Sequence, residues 1–145
     1  MRTIEVLLVD DNPADADLTS EVLARNGCHI HIHAVTDGVE AIEFLCREGK
    51  YANALPPDFV ILDLSLPKMD GRAVLAEVKA NPLLRKIPIV IFSTSEAPQD
   101  IVQSYELGAN CYVRKPGNLQ DFISAVRSIG EFWFGLACLP HEEER

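Results

Sequence analysis

The sequence predicts an α/β fold, a doubly wound five-stranded parallel sheet with helices on both faces. Short apolar runs alternate with amphipathic stretches five times along the chain, and helix-start signals follow the runs. Strands separated in this way pair in parallel, because each helix is the crossover between neighbours, and right-handed crossovers cover both faces. The 145 residues, 48% apolar and 24% charged, suit one globular domain with a single core.

Ile4 to Val9 is a β-branched and leucine-rich run that ends in acid. Asn12-Pro13 starts a helix, since Asn caps open N–H groups and Pro suits the first turn. Leu18, Val22 and Leu23 mark its inner face, and Gly27 is its expected stop. His29 to Ala34 alternates like a half-buried strand. Asp37-Gly-Val-Glu40 resembles a capping box opening a helix through Ala41, Ile42 and Leu45, which Gly49 ends. After the Pro56-Pro57 turn, Phe59-Val-Ile-Leu62 is apolar on both faces, as a central parallel strand requires. Gly71 to Ala80 is a third helix with Val74, Leu75 and Val78 inward, broken at Asn81-Pro82. Ile87 to Phe92 is the fourth strand, and a polar loop leads to a helix beginning near Pro98. Cys111 to Val113 is the fifth strand, and Asn118 with Asp121 opens a last helix running well past Arg127.

Composition excludes several functions. A formal net charge of −9 opposes nucleic-acid binding, which depends on Lys and Arg displacing counterions. No apolar stretch approaches the ~20 residues that span a bilayer, and the start of the chain does not resemble a signal peptide, so a cytoplasmic protein without membrane contact is expected. Cys28, Cys46, Cys111 and Cys138 are scattered, which suggests reduced, mostly buried thiols.

Sheets of this kind bind ligands beyond the carboxyl ends of their strands. Asp10 and Asp11 follow the first strand, Asp63 the third, Ser93 and Thr94 the fourth, and Lys115 the fifth. Taken singly, each is an ordinary helix cap or solvated charge. Together they bring three carboxylates, hydroxyls and an ammonium to one crevice. Like charges so placed repel unless a cation intervenes, and hard oxygen ligands suit Mg²⁺.

Val9-Asp10-Asp11-Asn12, Leu62-Asp63-Leu64-Ser65-Leu66-Pro67 followed by Asp70-Gly71, Ser93-Thr94-Ser95, and Tyr112-Val113-Arg114-Lys115-Pro116 resemble, in this order, the receiver domain of two-component response regulators. The likeness covers roughly residues 4 to 130. It implies the flavodoxin-like (β/α)5 fold with strand order 2-1-3-4-5. It also implies that Asp63 is the phosphoacceptor, supplied by a sensor histidine kinase. Asp11, Asp63 and the backbone carbonyl of Ser65 would bind Mg²⁺, with Asp10 acting through water. Lys115 and Ser93 would meet the phosphoryl group, and Ser93 and Tyr112 would form a switch in which the tyrosine turns inward. Ser93 stands where relatives usually carry Thr, which keeps the hydroxyl and loses a methyl. A cis Lys115-Pro116 bond is also implied. The chain is then a phosphoacceptor with slow self-dephosphorylation rather than an enzyme.

Residues 1–130 are expected to form the receiver and 131–145 a C-terminal extension, with no output domain attached. Ile129, Phe132, Trp133 and Leu136 fall at helical spacing on one stripe, and Phe132, Trp133 and Leu136 are the expected contacts of a homodimer. Gly71-Arg-Ala-Val-Leu-Ala-Glu-Val-Lys, Asn81-Pro82, Asn110-Cys-Tyr112, Phe132-Trp133 and Leu139-Pro140 are similar to the small regulators paired with bacterial and cyanobacterial phytochromes. That resemblance implies a light-regulated kinase as donor. His29, His31 and His33 share a strand face, and an edge strand turned to solvent explains them better than a metal site. Dehalogenase-type phosphatases also carry an Asp after a strand, but in a D-x-D pattern, whereas Asp63-Leu64-Ser65 is D-x-S. A pseudo-receiver that only binds partners commonly lacks the acceptor or the lysine, and this chain keeps both.

Overall fold

The computed structural model describes residues 3–140. Its strands are β1 (Ile4–Val9), β2 (Ile30–Val35), β3 (Phe59–Leu62), β4 (Ile89–Ser93) and β5 (Cys111–Arg114). They form one parallel sheet in the order β2-β1-β3-β4-β5. The helices are α1 (Pro13–Ala24), α2 (Gly38–Leu45), α3 (Gly71–Ala80), α4 (Pro98–Glu106) and α5 (Leu119–Gly130).

Residues alternate across the sheet, so each central strand feeds two cores. Leu7, Val9, Val60, Leu62, Ile89 and Ile91 pack with Val74, Leu75 and Val78 of α3 and Ala41 and Leu45 of α2. Val6, Leu8, Phe59, Ile61, Val90 and Phe92 face Ala16 and Leu23 of α1 and Phe122 and Val126 of α5. Burying each of these large side chains stabilises the fold by about 1.5–3 kcal/mol relative to leaving it in water. That is why the run 59–62 is apolar at every position.

Capping follows the expected chemistry. Asn12 accepts from the Asp15 N–H, Asp37 from Glu40, Asp70 from Arg72 and Asn118 from Asp121. Several ends differ from the sequence pattern. Helix α1 stops at Ala24, with Gly27 at φ 89 in the turn beyond it. Helix α2 stops at Leu45 because Arg47 turns to φ 58, and a 3-10 turn at Gly49–Tyr51 then seats Tyr51 in the core. Strand β4 begins at Ile89, since the Ile87 N–H is spent on Leu84 and Pro88 has none. The bond before Pro116 is trans, not cis, in line with the general X-Pro preference.

Beyond α5 the helix widens into a π-helical stretch at Glu131–Leu136, with the Ala137 N–H donating to Phe132 O at 2.7 Å. The wider turn changes which residues face inward. Phe134, five residues after Ile129, joins the same core. Trp133 is half-buried against Phe59, their rings 5.2 Å apart, whereas Phe132 and Leu136 are 48% and 74% exposed. The stripe inferred from α-helical spacing is therefore split between the inside and the surface. Residues 141–145 of the expected extension lie outside the described residues. No helix among the described residues is long and apolar enough to cross a membrane.

Candidate functional site

The sheet ladder fixes the site. Asp10 N donates to Val35 O at 3.1 Å, Asp63 N to Val9 O at 3.0 Å, and Lys115 N to Ser93 O at 2.7 Å. Each bond extends the strand pairing by one residue, so three side chains emerge together at the carboxyl edge. Asp10, Asp63, Ser93 and Lys115 are buried, and Asp11 is exposed. One carboxylate oxygen from each of Asp10, Asp11 and Asp63 lies within 4.8 Å of the others. Two buried carboxylates and an open third are hard donors suited to a divalent cation that keeps part of its water shell. The residues present thus fit such an ion.

Lys115, only 3% exposed, directs Nζ to Asp10 Oδ2 at 2.8 Å, Asp63 Oδ2 at 2.9 Å and Asp15 Oδ2 at 3.0 Å. An ammonium has three donors, and three carboxylates take them. Burial alone would push the Lys115 ammonium down; its bonds to Asp10 and Asp63 outweigh that and raise it. Burial lifts the Asp10 carboxyl, against the opposing pull of Lys115 and of the Asn12 N–H, which donates at 2.9 Å. Asp63 Oδ1 accepts from Ser65 N at 3.3 Å.

The loop after β3 is held close by two glycines. A Cβ at Gly71 would stand 2.2 Å from the Asp63 carbonyl oxygen, and one at Gly38 would stand 1.9 Å from that of Met69. Neither backbone could approach with a larger residue.

Ser93 Oγ accepts from Ser95 N at 3.3 Å. Tyr112 is turned inward: its hydroxyl donates to Ser95 O at 2.7 Å and its ring packs on the core. Tyr105 Oη accepts from Tyr112 N at 3.1 Å. Sequence reading missed the polar brace beside this pair. Asp100 of α4 accepts from Ser95 Oγ at 2.6 Å and from Arg72 Nη2 of α3 at 2.7 Å. It also missed Asp15, whose spacing of four from Asp11 was the available signal.

The histidines do not converge. His31 meets Glu5 at 2.7 Å and stays exposed, and His33 is half-buried beside Phe44 and Tyr51, with ring centroids 4.4 and 5.4 Å away. The solvent-facing reading therefore holds for His31 and His29 but not for His33. No histidine belongs to a metal-competent group among the described residues. Of the cysteines, Cys28 and Cys111 are half-buried while Cys46 and Cys138 are exposed, so the thiols are less buried than expected.

Residues 6–127 match the response regulator receiver domain. The chain is 44% identical over 135 residues to response regulator Rcp1 of Synechocystis, covering 93% of this chain and 92% of that one. The phosphorylated cyanobacterial phytochrome response regulator RcpA superposes with a TM-score of 0.94 at 46% identity, covering 97% of this chain and 100% of that one. The Mn²⁺-bound form of Rcp1 gives 0.93 at 43% identity, covering 95% and 99%. Receiver domains are partners of sensor histidine kinases and bind a divalent metal in an acidic pocket, and the cluster of Asp10, Asp11 and Asp63 is consistent with that pocket. By sequence, fold and the composition of that pocket, the chain belongs to the response regulator receiver family.

Proposed function

We propose that Asp63 accepts a phosphoryl group from a histidine kinase, with a phytochrome as the sensor, and that the chain signals by changing its contacts with other proteins in the cytoplasm. One observation carries this reading: a buried lysine holds Asp63 at 2.9 Å beside two further carboxylates. Likeness to the phytochrome regulators Rcp1 and RcpA supports the choice of sensor.

In the proposed transfer, an Asp63 carboxylate oxygen forms a bond to phosphorus. The bond from phosphorus to the donor's imidazole nitrogen breaks, and that nitrogen keeps the electron pair. Asp11, Asp63 and the Ser65 carbonyl would hold Mg²⁺, with Asp10 acting through water, and the ion would supply neutralising charge for the phosphoryl oxygens. Lys115 passes from Asp63 to a phosphoryl oxygen, and the Ser93 hydroxyl donates to another. The draw on Ser93 shifts the loop at Ser95 to which Tyr112 is tethered, biasing the face of α4, β5 and α5.

Intact mass after incubation with acetyl phosphate and Mg²⁺ tests the acceptor. The wild type should gain one phosphoryl mass and Asp63→Asn none, and the amide resonances of residues 93–115 should move in the wild type alone. A wild type that gains nothing overturns the reading.

We further propose that residues 1–130 act as the receiver and that 131–145 contribute a homodimer contact through Phe132 and Leu136, with Trp133 beneath them. Two exposed large apolar residues beside a packed tryptophan support it. Phe132→Ser with Leu136→Ser should leave the core-forming Phe134 intact and convert a dimer to a monomer by light scattering; an unchanged mass refutes the contact.

A further inference from the structure

Asp15 is a carboxylate at this end of the sheet to which the phosphotransfer assigns no task. It lies in the first turn of α1, where its N–H donates to Asn12 Oδ1 at 3.1 Å, so its backbone is fixed by the cap. Its Oδ2 reaches 100 residues along the chain to accept from Lys115 Nζ at 3.0 Å. The three carboxylates on that ammonium come from the end of β1, the end of β3 and the first turn of α1. A tripod on three separate elements fixes where each N–H of the lysine points.

The three acceptors have different fates once a phosphoryl group arrives. Asp63 becomes the acyl phosphate. Asp10 is one of the carboxylates whose oxygens cluster for a cation. Asp15 is outside that cluster and is not esterified, so it is the acceptor that remains as it was. It is half-buried, so its carboxylate reaches the lysine from the open side of the crevice.

We propose that Asp15 is a positioning residue for phosphotransfer: it keeps one N–H of Lys115 occupied throughout, so that the ammonium stays aimed at the phosphoryl group after Asp63 has reacted. The inference rests on Asp63 being the acceptor. A purely structural role is the alternative, since an acid in a first helical turn also meets the positive end of the helix dipole.

The test uses the full chain as wild type, Asp15→Ala, Asp15→Asn and Asp15→Glu. Acyl phosphate formation is followed against acetyl phosphate concentration in saturating Mg²⁺, alongside the Mg²⁺ dissociation constant and the Lys115 ammonium NMR resonance. Asp15→Ala should lower the saturating rate about fivefold, with the dissociation constant changed less than about twofold. The lysine resonance should broaden from faster exchange. Asp15→Glu, which keeps the charge and can reach the same nitrogen, should recover at least half of the rate, and Asp15→Asn should fall between. Equal saturating rates in wild type and Asp15→Ala would overturn the inference while leaving Asp63 its role, as would a fall accounted for wholly by weaker Mg²⁺ binding. A lower melting temperature with unchanged kinetics would assign Asp15 to the helix alone. If Asp15→Ala does not fold, the contrast between Asp15→Asn and Asp15→Glu decides. A wild type that forms no acyl phosphate would overturn both readings.

Discussion

Two lysines of this chain each direct their ammonium at three oxygens from opposite ends of the sheet, and their electrostatic states are opposite. Lys115 meets carboxylates of Asp10, Asp15 and Asp63, and its affinity for the proton is raised despite burial. Lys79, in the last turn of α3, meets Arg85 O and Ile87 O at 2.9 Å and Asn110 Oδ1 at 3.2 Å. Its acceptors are neutral, and burial lowers its affinity for the proton. Both lysines have as many acceptors as donors, so the number of hydrogen bonds does not separate them. The charge of the acceptors does. Lys79 ties the end of α3 to the turn before β4 and to the Asn110 side chain, which also accepts from Ile89 N. Lys115 holds together carboxylates that would otherwise repel, at the place where a phosphoryl group and a cation are expected to arrive.

Removing each ammonium should expose the difference. In metal-free protein, Lys115→Met leaves Asp10 and Asp63 facing each other without a cation and should cost about 3 kcal/mol in urea unfolding. Adding Mg²⁺ should recover part of that loss without restoring phosphorylation. Lys79→Met keeps the packed methylenes and strips three neutral acceptors of a donor. Its expected cost is about 1 kcal/mol, insensitive to Mg²⁺, with acetyl phosphate labelling at the wild-type rate. Comparable losses, or a Mg²⁺ response in Lys79→Met, would break the distinction.

The smallest effect extends the comparison to His33, a third group that gains a positive charge on protonation. Burial beside Phe44 and Tyr51 lowers its proton affinity; nearby Glu40 opposes this, while His31 and Lys50 add to it. Its folded pKa lies below its unfolded one, so the unfolded chain binds more protons. Stability from this site is therefore present above the unfolded value near 6.5 and is lost as pH falls through the folded one. Wild type should lose more melting temperature than His33→Gln between pH 7.5 and 5.5. Parallel curves would show that His33 is not coupled to folding.

Much of this was legible in the residues. A run such as Phe59–Leu62, apolar at every position, has to lie between two layers, and five apolar or alternating runs joined by helices leave a parallel sheet. Once the sheet is parallel, the residue after each strand is at one edge. That places Asp10, Asp63, Ser93 and Lys115 together from the sequence. The inner face of α3, Val74, Leu75 and Val78, read correctly from its helical spacing, and the start of α5 from its Asn118 cap.

What escaped depended on departures from regular geometry or on contacts between distant segments. The π turn after Gly130 adds a residue to the helical period, and it sends Phe134 inward where 3.6-residue spacing does not. The left-handed Arg47 ended α2 early, against the intrinsic preference of such a side chain. The bond from the Tyr112 hydroxyl to Ser95 O was not legible either, because sequence spacing does not reveal which carbonyl of a neighbouring loop a hydroxyl will find. The sequence alone thus determined the layers, the order of the elements and the edge where charge gathers, since hydrophobic period and capping are local properties. Which carboxylates share Lys115, and which aromatic residues of the last turn stay outside, only the tertiary structure decided. Both depend on where residues between 52 and 105 positions apart come to rest, and no local pattern encodes that.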